Sequence, residues 1–139
     1  YVGSPLAREV RANQTRGEFC AENDLDSSKP VIALLPGSRH KEIVRILPVL
    51  LETASLMAAK NPAIQFIIAL AENRKTAEVE EAIAGAERKN LKLPETLITV
   101  KNKTYDALNA SDAAAVASGT ATLEAAIIGT PFAIVYNTS

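Results

Sequence analysis

Short apolar runs alternate with helix-like segments along most of the chain, and this alternation restricts the possible folds more than any other feature. The clearest run covers 31–35, contains no polar residue and ends at Pro36-Gly37. A strand that is apolar at every position has to be buried on both faces, which is typical of parallel sheets. Further strands are predicted at 63–70, 97–100, 113–117 and 131–136.

Helical patterns fill the intervals between these runs. Apolar residues recur every three or four positions between Ile43 and Ala58, which predicts a helix that reaches about Lys60. Pro48 lies inside this pattern and lacks a backbone N–H, so we expect a short turn from His40 and a separate main helix after it. Further helices are predicted at 76–89, at 104–110 with Thr104 as the N-cap, and at 121–128. The resulting βαβαβαβαβ order predicts an α/β fold, a parallel sheet with helices on both faces.

The first 29 residues have a different character. Residues 23–30 are polar and rich in turn formers, and the only helical pattern before them covers 16–23. We interpret 1–29 as an interdomain linker that leads into a single α/β domain at 30–139, because the whole chain of 139 residues is the size of one domain. The chain starts with Tyr1 rather than Met, so we expect it to be a piece of a longer protein, incomplete at its C-terminus.

Composition excludes several classes of function. The chain has 15 Lys and Arg against 16 Asp and Glu, a net charge of −1, whereas a nucleic-acid binder needs a basic face. One cysteine, Cys20, and one histidine, His40, argue against a disulfide, a metal cluster and a Ser-His-Asp triad. The G-x-G-x-x-G and Walker P-loop signatures do not occur. We therefore expect no metal, no cofactor and no nucleic-acid partner, and we interpret His40 as an exposed helix-start residue.

The predicted loop after the first strand suits an anionic ligand. Gly37 lets the backbone approach a ligand closely, and Ser38 can donate together with the free amides of the helix start. The guanidinium of Arg39 matches a phosphate in bidentate geometry, and Glu42 could hold Arg39 in place or cap the helix. The alternative interpretation is an ordinary tight turn with a solvated arginine.

The predicted loop after the fourth strand has related chemistry. Ser118, Gly119 and Thr120 leave room for a ligand and supply donors, and the carboxylate of Glu124 could accept two hydrogen bonds from a ribose diol. The alternative here is a Ser or Thr helix cap with a glutamate that favours the positive helix end. Ligands of open parallel sheets bind at the carboxyl ends of strands, so we expect both loops at one rim.

These motifs resemble a known family. The string Leu34-Leu35-Pro36-Gly37-Ser38-Arg39, with Glu42-Ile43, resembles the motif that opens the C-terminal domain of lipid-A-disaccharide synthases. The string at 117–126, followed by Gly129-Thr130-Pro131 and Val135-Tyr136, is similar to the same family. The start Tyr1-Val2-Gly3-Ser4-Pro5-Leu6 resembles the segment entering that domain, in which the family usually carries His where Ser4 stands. The resemblance therefore runs almost from end to end.

The resemblance implies a Rossmann-like domain, the nucleotide-binding half of a GT-B glycosyltransferase. It implies that Gly37, Ser38 and Arg39 hold the diphosphate of UDP, that Ser118, Gly119 and Thr120 line its other side, that Glu124 binds the ribose, and that the backbone of Val100 recognises uracil. The UDP-binding residues implied in this way, together with the supporting Glu42, are Gly37, Ser38, Arg39, Glu42, Val100, Ser118, Gly119, Thr120 and Glu124.

The implied reaction is an inverting, metal-independent transfer of a diacylated glucosamine from UDP to 2,3-diacylglucosamine 1-phosphate, which gives lipid A disaccharide 1-phosphate and UDP. The catalytic base would come from the N-terminal domain of the same protein, so no catalytic residue and no activity are expected of this piece alone. The full protein would be cytoplasmic and peripheral at the inner face of the bacterial inner membrane. Two alternatives remain open: another GT-B enzyme, such as a UDP-N-acetylglucosamine 2-epimerase or a UDP-sugar transferase, or a non-enzymatic nucleotide-binding module.

Overall fold

The structure, a computed structural model, describes residues 14–37, 39–72, 74–116 and 132–134. Strands and helices alternate through these ranges, as the sequence predicts. The elements in chain order are α1 (Arg16–Glu22), β1 (Val31–Leu35), α2 (His40–Lys60), β2 (Gln65–Leu70), α3 (Thr76–Arg88), β3 (Thr96–Lys101), α4 (Thr104–Ala110), β4 (Ala113–Val116) and β5 (Phe132–Ile134). The predicted helix at 121–128 lies outside the described residues.

The five described strands form one parallel sheet in the order β3-β2-β1-β4-β5. β1 is central, with Leu34 opposite Ile68 of β2 and Leu35 opposite Val116 of β4. The side chains of β1 are buried except that of Ile32, which is partly exposed. The predicted α/β fold is thus confirmed, and the strand order reverses between β1 and β4.

Helices cover both faces of the sheet. Successive residues of β2 point to opposite faces, and they belong to two separate hydrophobic clusters. Phe66, Ile68 and Leu70 pack with α2 and α3, whereas Ile67 and Ala69 lie in the cluster to which α1 and α4 contribute. Burial on both sides explains why these strands are almost continuously apolar.

The helix break predicted at Pro48 does not occur. α2 is a single helix of 21 residues that includes Pro48. Proline removes the hydrogen bond to the carbonyl four positions earlier, here that of Val44. Val44 is 59% exposed and Pro48 is exposed as well, so the missing hydrogen bond falls on the solvent side of the helix, which continues through it.

The hydrophobic core includes residues on the N-terminal side of Pro30. Helix α1 begins with a capping box in which Thr15 and Glu18 bond each other's backbone N–H groups. Phe19 and Cys20 are fully buried in the core, and Leu25 is nearly so. Residues 14–29, the described part of the predicted linker, therefore include a helix that packs on the core of the domain.

A smaller difference concerns the start of α4. This helix spans 104–110 as predicted, but its N-cap is Lys103 rather than Thr104, which is already helical. An ion pair with a separation of 2.7 Å between Lys103 Nζ and Glu22 Oε1 ties this helix start to α1.

Asp112 joins three elements at the amino end of the sheet. Its N–H donates to the carbonyl oxygen of Val31 at 2.7 Å, and its Oδ2 accepts from the Val31 N–H at 2.9 Å. Arg16 of α1 donates to both carboxylate oxygens of Asp112, at 2.9 and 3.2 Å. The same guanidinium also donates to the carbonyl oxygens of Ser27 and Lys29. The hydrogen bonds from Arg16 are the main cause that lowers the pKa of Asp112.

Asp112→Asn is expected to destabilise the fold at neutral pH by about 1 kcal/mol, since a charge-assisted hydrogen bond at a half-exposed site is partly screened. The pKa of Asp112 is lower in the folded state than in the unfolded chain, so its stabilisation is full above the unfolded value, near 4. This stabilisation is lost as the pH falls through the folded value. Urea unfolding of both proteins at pH 7 and at about pH 3 should therefore show a difference that shrinks on acidification.

A matched control is Asp24→Asn. Asp24 is exposed, and its φ of 57° is a conformation that asparagine tolerates. This variant should behave like the wild type at both pH values. Equal losses in the two variants would show that Asp112 makes no special contribution.

Candidate functional site

β1 and β4 lie side by side in the sheet, and we call the position beyond their carboxyl ends the crevice. Both strands run in the same direction, and Leu35 and Val116 at their ends are register partners. Adjacent strands are about 4.8 Å apart, so the chain leaves both strands at the same rim. The strand order reverses at this point, which is where open parallel sheets bind ligands.

The loop after β1 depends on a glycine. Gly37 has a φ of +111°, a conformation that side-chain-bearing residues rarely adopt. A Cβ atom at this position would lie 3.0 Å from the Cβ of Glu42 and 3.1 Å from its Oε2. Glu42 belongs to the first turn of α2, and its side chain covers Gly37. The glycine is therefore required by both the backbone and the close contact.

Arg39 is the N-cap of α2, in an extended conformation with φ −116° and ψ 145°. Its side chain is exposed and forms no hydrogen bond or ion pair with any described residue. It does not cap the helix, so the first-turn amides of α2 remain without a capping side chain. A cationic group and a positive helix end are thus both available at this rim to an anion.

The predicted pairing of Glu42 with Arg39 is not found. No ion pair joins these two described residues, and the Glu42 side chain instead lies over Gly37. The reason is local: Gly37, with its φ of +111°, lies against the first turn of α2 and occupies the Glu42 side chain. A part for Glu42 in ligand binding stays a prediction.

His40 is attached to the neighbouring helix α3. Its Nδ1 lies 2.7 Å from Oε2 of Glu78, although the His40 side chain is 67% exposed, as expected for a helix-start residue. The other oxygen of Glu78 accepts the N–H of Lys75 at 2.9 Å, and Arg74 Nη1 approaches Oε2 at 3.5 Å. The bond from the Lys75 amide is the main cause that lowers the pKa of Glu78, and the bond from His40 lowers it further. Sequence reasoning missed this contact because its two residues are 38 positions apart.

Val100 lies away from this loop. It is buried in the core cluster and pairs with Ala69 of β2, and β2 separates its strand from β1. Two strand spacings amount to roughly 10 Å, so Val100 does not contact Gly37 or Arg39. The predicted residues Ser38, Ser118, Gly119, Thr120 and Glu124 lie outside the described residues.

A groove of about 830 Å³ runs between α2 and α3, beside the crevice rather than in it. One end is formed by His40 and Glu78, and Val44, Pro48 and Leu91 supply apolar walls. Within the described ranges, no cluster of three or more His, Cys, Asp or Glu residues could hold a metal ion. None of the described helices combines the length and apolar character that a membrane crossing requires.

The fold belongs to the class of GT-B glycosyltransferase domains. The C-terminal domain of a glycosyl transferase group 1 family protein (LpcC) from Francisella tularensis matches with a TM-score of 0.58 and 15% identity, over 94% of this chain and 68% of that chain. A mutant of S. aureus TarM, solved with Fondaparinux, alpha-GlcNAc-glycerol and UDP, matches with a TM-score of 0.53 and 16% identity, over 76% of this chain and 21% of that chain. At these identities the likeness concerns the fold alone.

Sequence similarity identifies the family. The family model described as lipid-A-disaccharide synthetase matches residues 1–139. Lipid-A-disaccharide synthase from Geobacter metallireducens is 39% identical over 139 residues, which are 100% of this chain and 34% of the relative. The synthase from Nitrosococcus oceani is 39% identical over 136 residues, 98% of this chain and 33% of the relative. This chain belongs to the lipid-A-disaccharide synthetase family, as its motifs predicted, and spans about a third of the length of these relatives.

Proposed function

We propose that this chain is the UDP-binding part of an inverting glycosyltransferase that joins a UDP-linked diacylated glucosamine to an acylated glucosamine 1-phosphate. The observation that carries the proposal is the guanidinium of Arg39, which no described residue pairs, at a start of α2 that no described side chain caps, beside the point where the strand order reverses. Family membership supplies the identity of the sugars, and the geometry supports binding of an anion at this rim.

The chemistry of the first loop suits a diphosphate. Gly37 has no side chain between the loop backbone and a ligand, and the helix-start amides are aligned with the positive end of the α2 dipole. The guanidinium of Arg39 adds two parallel donors. Negative charge builds on the diphosphate as its bond to the sugar breaks, so groups fixed around it stabilise the transition state more than the ground state.

The remaining assignments in this proposal follow the family motifs. Ser118, Gly119 and Thr120 line the other side of the diphosphate, Glu124 binds the ribose, and the backbone of Val100 recognises uracil. The N-terminal domain of the same protein supplies the catalytic base and positions the acceptor. Because acyl chains partition into lipid, the full protein acts as a peripheral protein at the cytoplasmic face of the bacterial inner membrane.

Calorimetric titration of the chain with UDP and with uridine tests the proposal. We expect UDP to bind with a dissociation constant above about 1 µM, because half of a two-domain cleft leaves much of the ligand in water. Glu124→Ala should weaken UDP and uridine binding alike, since both ligands carry the ribose. Absence of binding heat with UDP would contradict the proposal and favour a module without a nucleotide site, and a submicromolar constant would contradict the half-cleft geometry.

A further inference from the structure

The start of α2 is contacted by a side chain of another helix and has no side-chain cap from its own N-cap residue. Arg39 makes no side-chain cap hydrogen bond, so the usual local fixation of a helix start is absent here. The next residue, His40, instead reaches across to Glu78 on α3, at 2.7 Å. The contact joins the first turns of the two helices that follow the adjacent parallel strands β1 and β2.

Glu78 is well suited to act as a fixed anchor. Its side chain is only 9% exposed, and its Oε1 accepts the N–H of Lys75, the N-cap of its own helix. A carboxylate can only accept hydrogen bonds, so Nδ1 of His40 carries the proton in this contact. The carboxylate is therefore fixed on the α3 side by a second hydrogen bond and determines the tautomer of His40.

We propose that Glu78 is a positioning residue for Arg39: by holding His40, it fixes the start of α2 and hence the direction in which the Arg39 side chain leaves the rim. The inference rests on the proposed function of Arg39 as a diphosphate ligand. Arg39 and His40 are consecutive, so a rotation of His40 about the helix start moves the Arg39 backbone with it. Glu78 touches no part of the ligand in this role.

Three variants test the contact. Glu78→Ala removes both acceptor oxygens; glutamine would be a poor choice, because its amide N–H can donate to Nδ1 of the other His40 tautomer. His40→Ala removes the other partner and leaves the bond between Glu78 and the Lys75 amide in place. His40→Asn places an amide nitrogen where Nδ1 stands and should restore the bond. The control is Glu81→Ala, which removes the same charge from the same helix at a 79% exposed side chain.

In calorimetric titrations of the full chain, Glu78→Ala and His40→Ala should each weaken UDP binding about threefold to tenfold, the order of magnitude that follows when one fixing hydrogen bond is lost. Uridine binding should not change. The double variant should lose no more than either single one, because both act through one contact. His40→Asn and Glu81→Ala should bind UDP like the wild type. Wild-type affinity in Glu78→Ala or His40→Ala, an equal loss for uridine, or no rescue by His40→Asn would overturn the proposal.

A second measurement does not depend on the ligand. The N–H of Ile43 donates to the carbonyl oxygen of Arg39 at 3.0 Å, so its hydrogen exchange reports whether Arg39 keeps its N-cap geometry. This amide should exchange faster in Glu78→Ala and His40→Ala than in the wild type or Glu81→Ala. If the wild type fails to bind UDP, the proposed function is wrong, and the exchange of Ile43 alone decides whether Glu78 fixes the helix start: unchanged exchange would overturn it.

Discussion

Arg39→Ala is expected to weaken UDP binding about 10- to 100-fold, the loss that follows from removing a charge-assisted contact to the diphosphate. Uridine has no phosphate, so its binding should hardly change. Arg39 is exposed and makes no contact with the described core, so the variant should melt like the wild type. Titration of each protein with both ligands, together with thermal melts, gives the answer.

The matched control for Arg39 is Arg88→Ala. Arg88 lies in the last turn of α3, its side chain is 68% exposed, and its nearest carboxylate, that of Glu81, is 3.7 Å away. The control removes the same charge from a site remote from the crevice and should leave UDP binding intact. A similar loss of UDP affinity in both variants would show that Arg39 affects binding only through the net charge of the protein. Equal losses of UDP and uridine affinity in Arg39→Ala would contradict its assignment to the diphosphate.

Gly37→Ala is expected to lower the free energy of unfolding by about 1–3 kcal/mol and to weaken UDP binding at least tenfold. The methyl group would be introduced at a φ of +111° and only 3.0 Å from the Cβ of Glu42. The backbone of the loop has to move to relieve the unfavourable φ and the close contact, and the proposed anion site moves with it. Urea unfolding and UDP titration measure the two effects.

Gly17→Ala provides a control of opposite sign. Gly17 lies in helix α1, and a Cβ atom there would meet nothing within 4 Å. Alanine in a helix should raise stability by about 0.5–1 kcal/mol and leave UDP binding unchanged. If Gly37→Ala were also neutral or stabilising, the left-handed conformation at Gly37 would not matter for the loop.

The elements that sequence reasoning located well are those decided by local pattern. The run at 31–35 is apolar throughout, and the strand is Val31–Leu35. The effect of Pro48 depended instead on which side of the helix it occupies, and the exposed side is a property of the tertiary structure. Phe19 was missed for a similar reason: the helical pattern at 16–23 is too short to show which face is buried, and only packing in the cluster on one face of the sheet makes Phe19 a core residue.

The candidate site divides in the same way. Glycine and arginine after a buried strand predict an anion-binding loop, which stays a prediction, and the reversal between β1 and β4 is the place where such a loop would lie. The position of Glu42 depends on the backbone angle of Gly37, which the sequence does not contain. The contact between His40 and Glu78 depends on how α2 and α3 pack, so no local signal could have revealed it.

The burial of α1 has a consequence for joining this α/β unit to a different protein. A chimaera joined at Pro30 would keep all the described strands of the sheet, yet it would strip Phe19, Cys20 and Leu25 from the face that they cover. It would also leave the carboxylate of Asp112 without the guanidinium of Arg16. The junction of such a hybrid therefore has to lie before residue 14, so that the donor of this half contributes its own N-terminal helix.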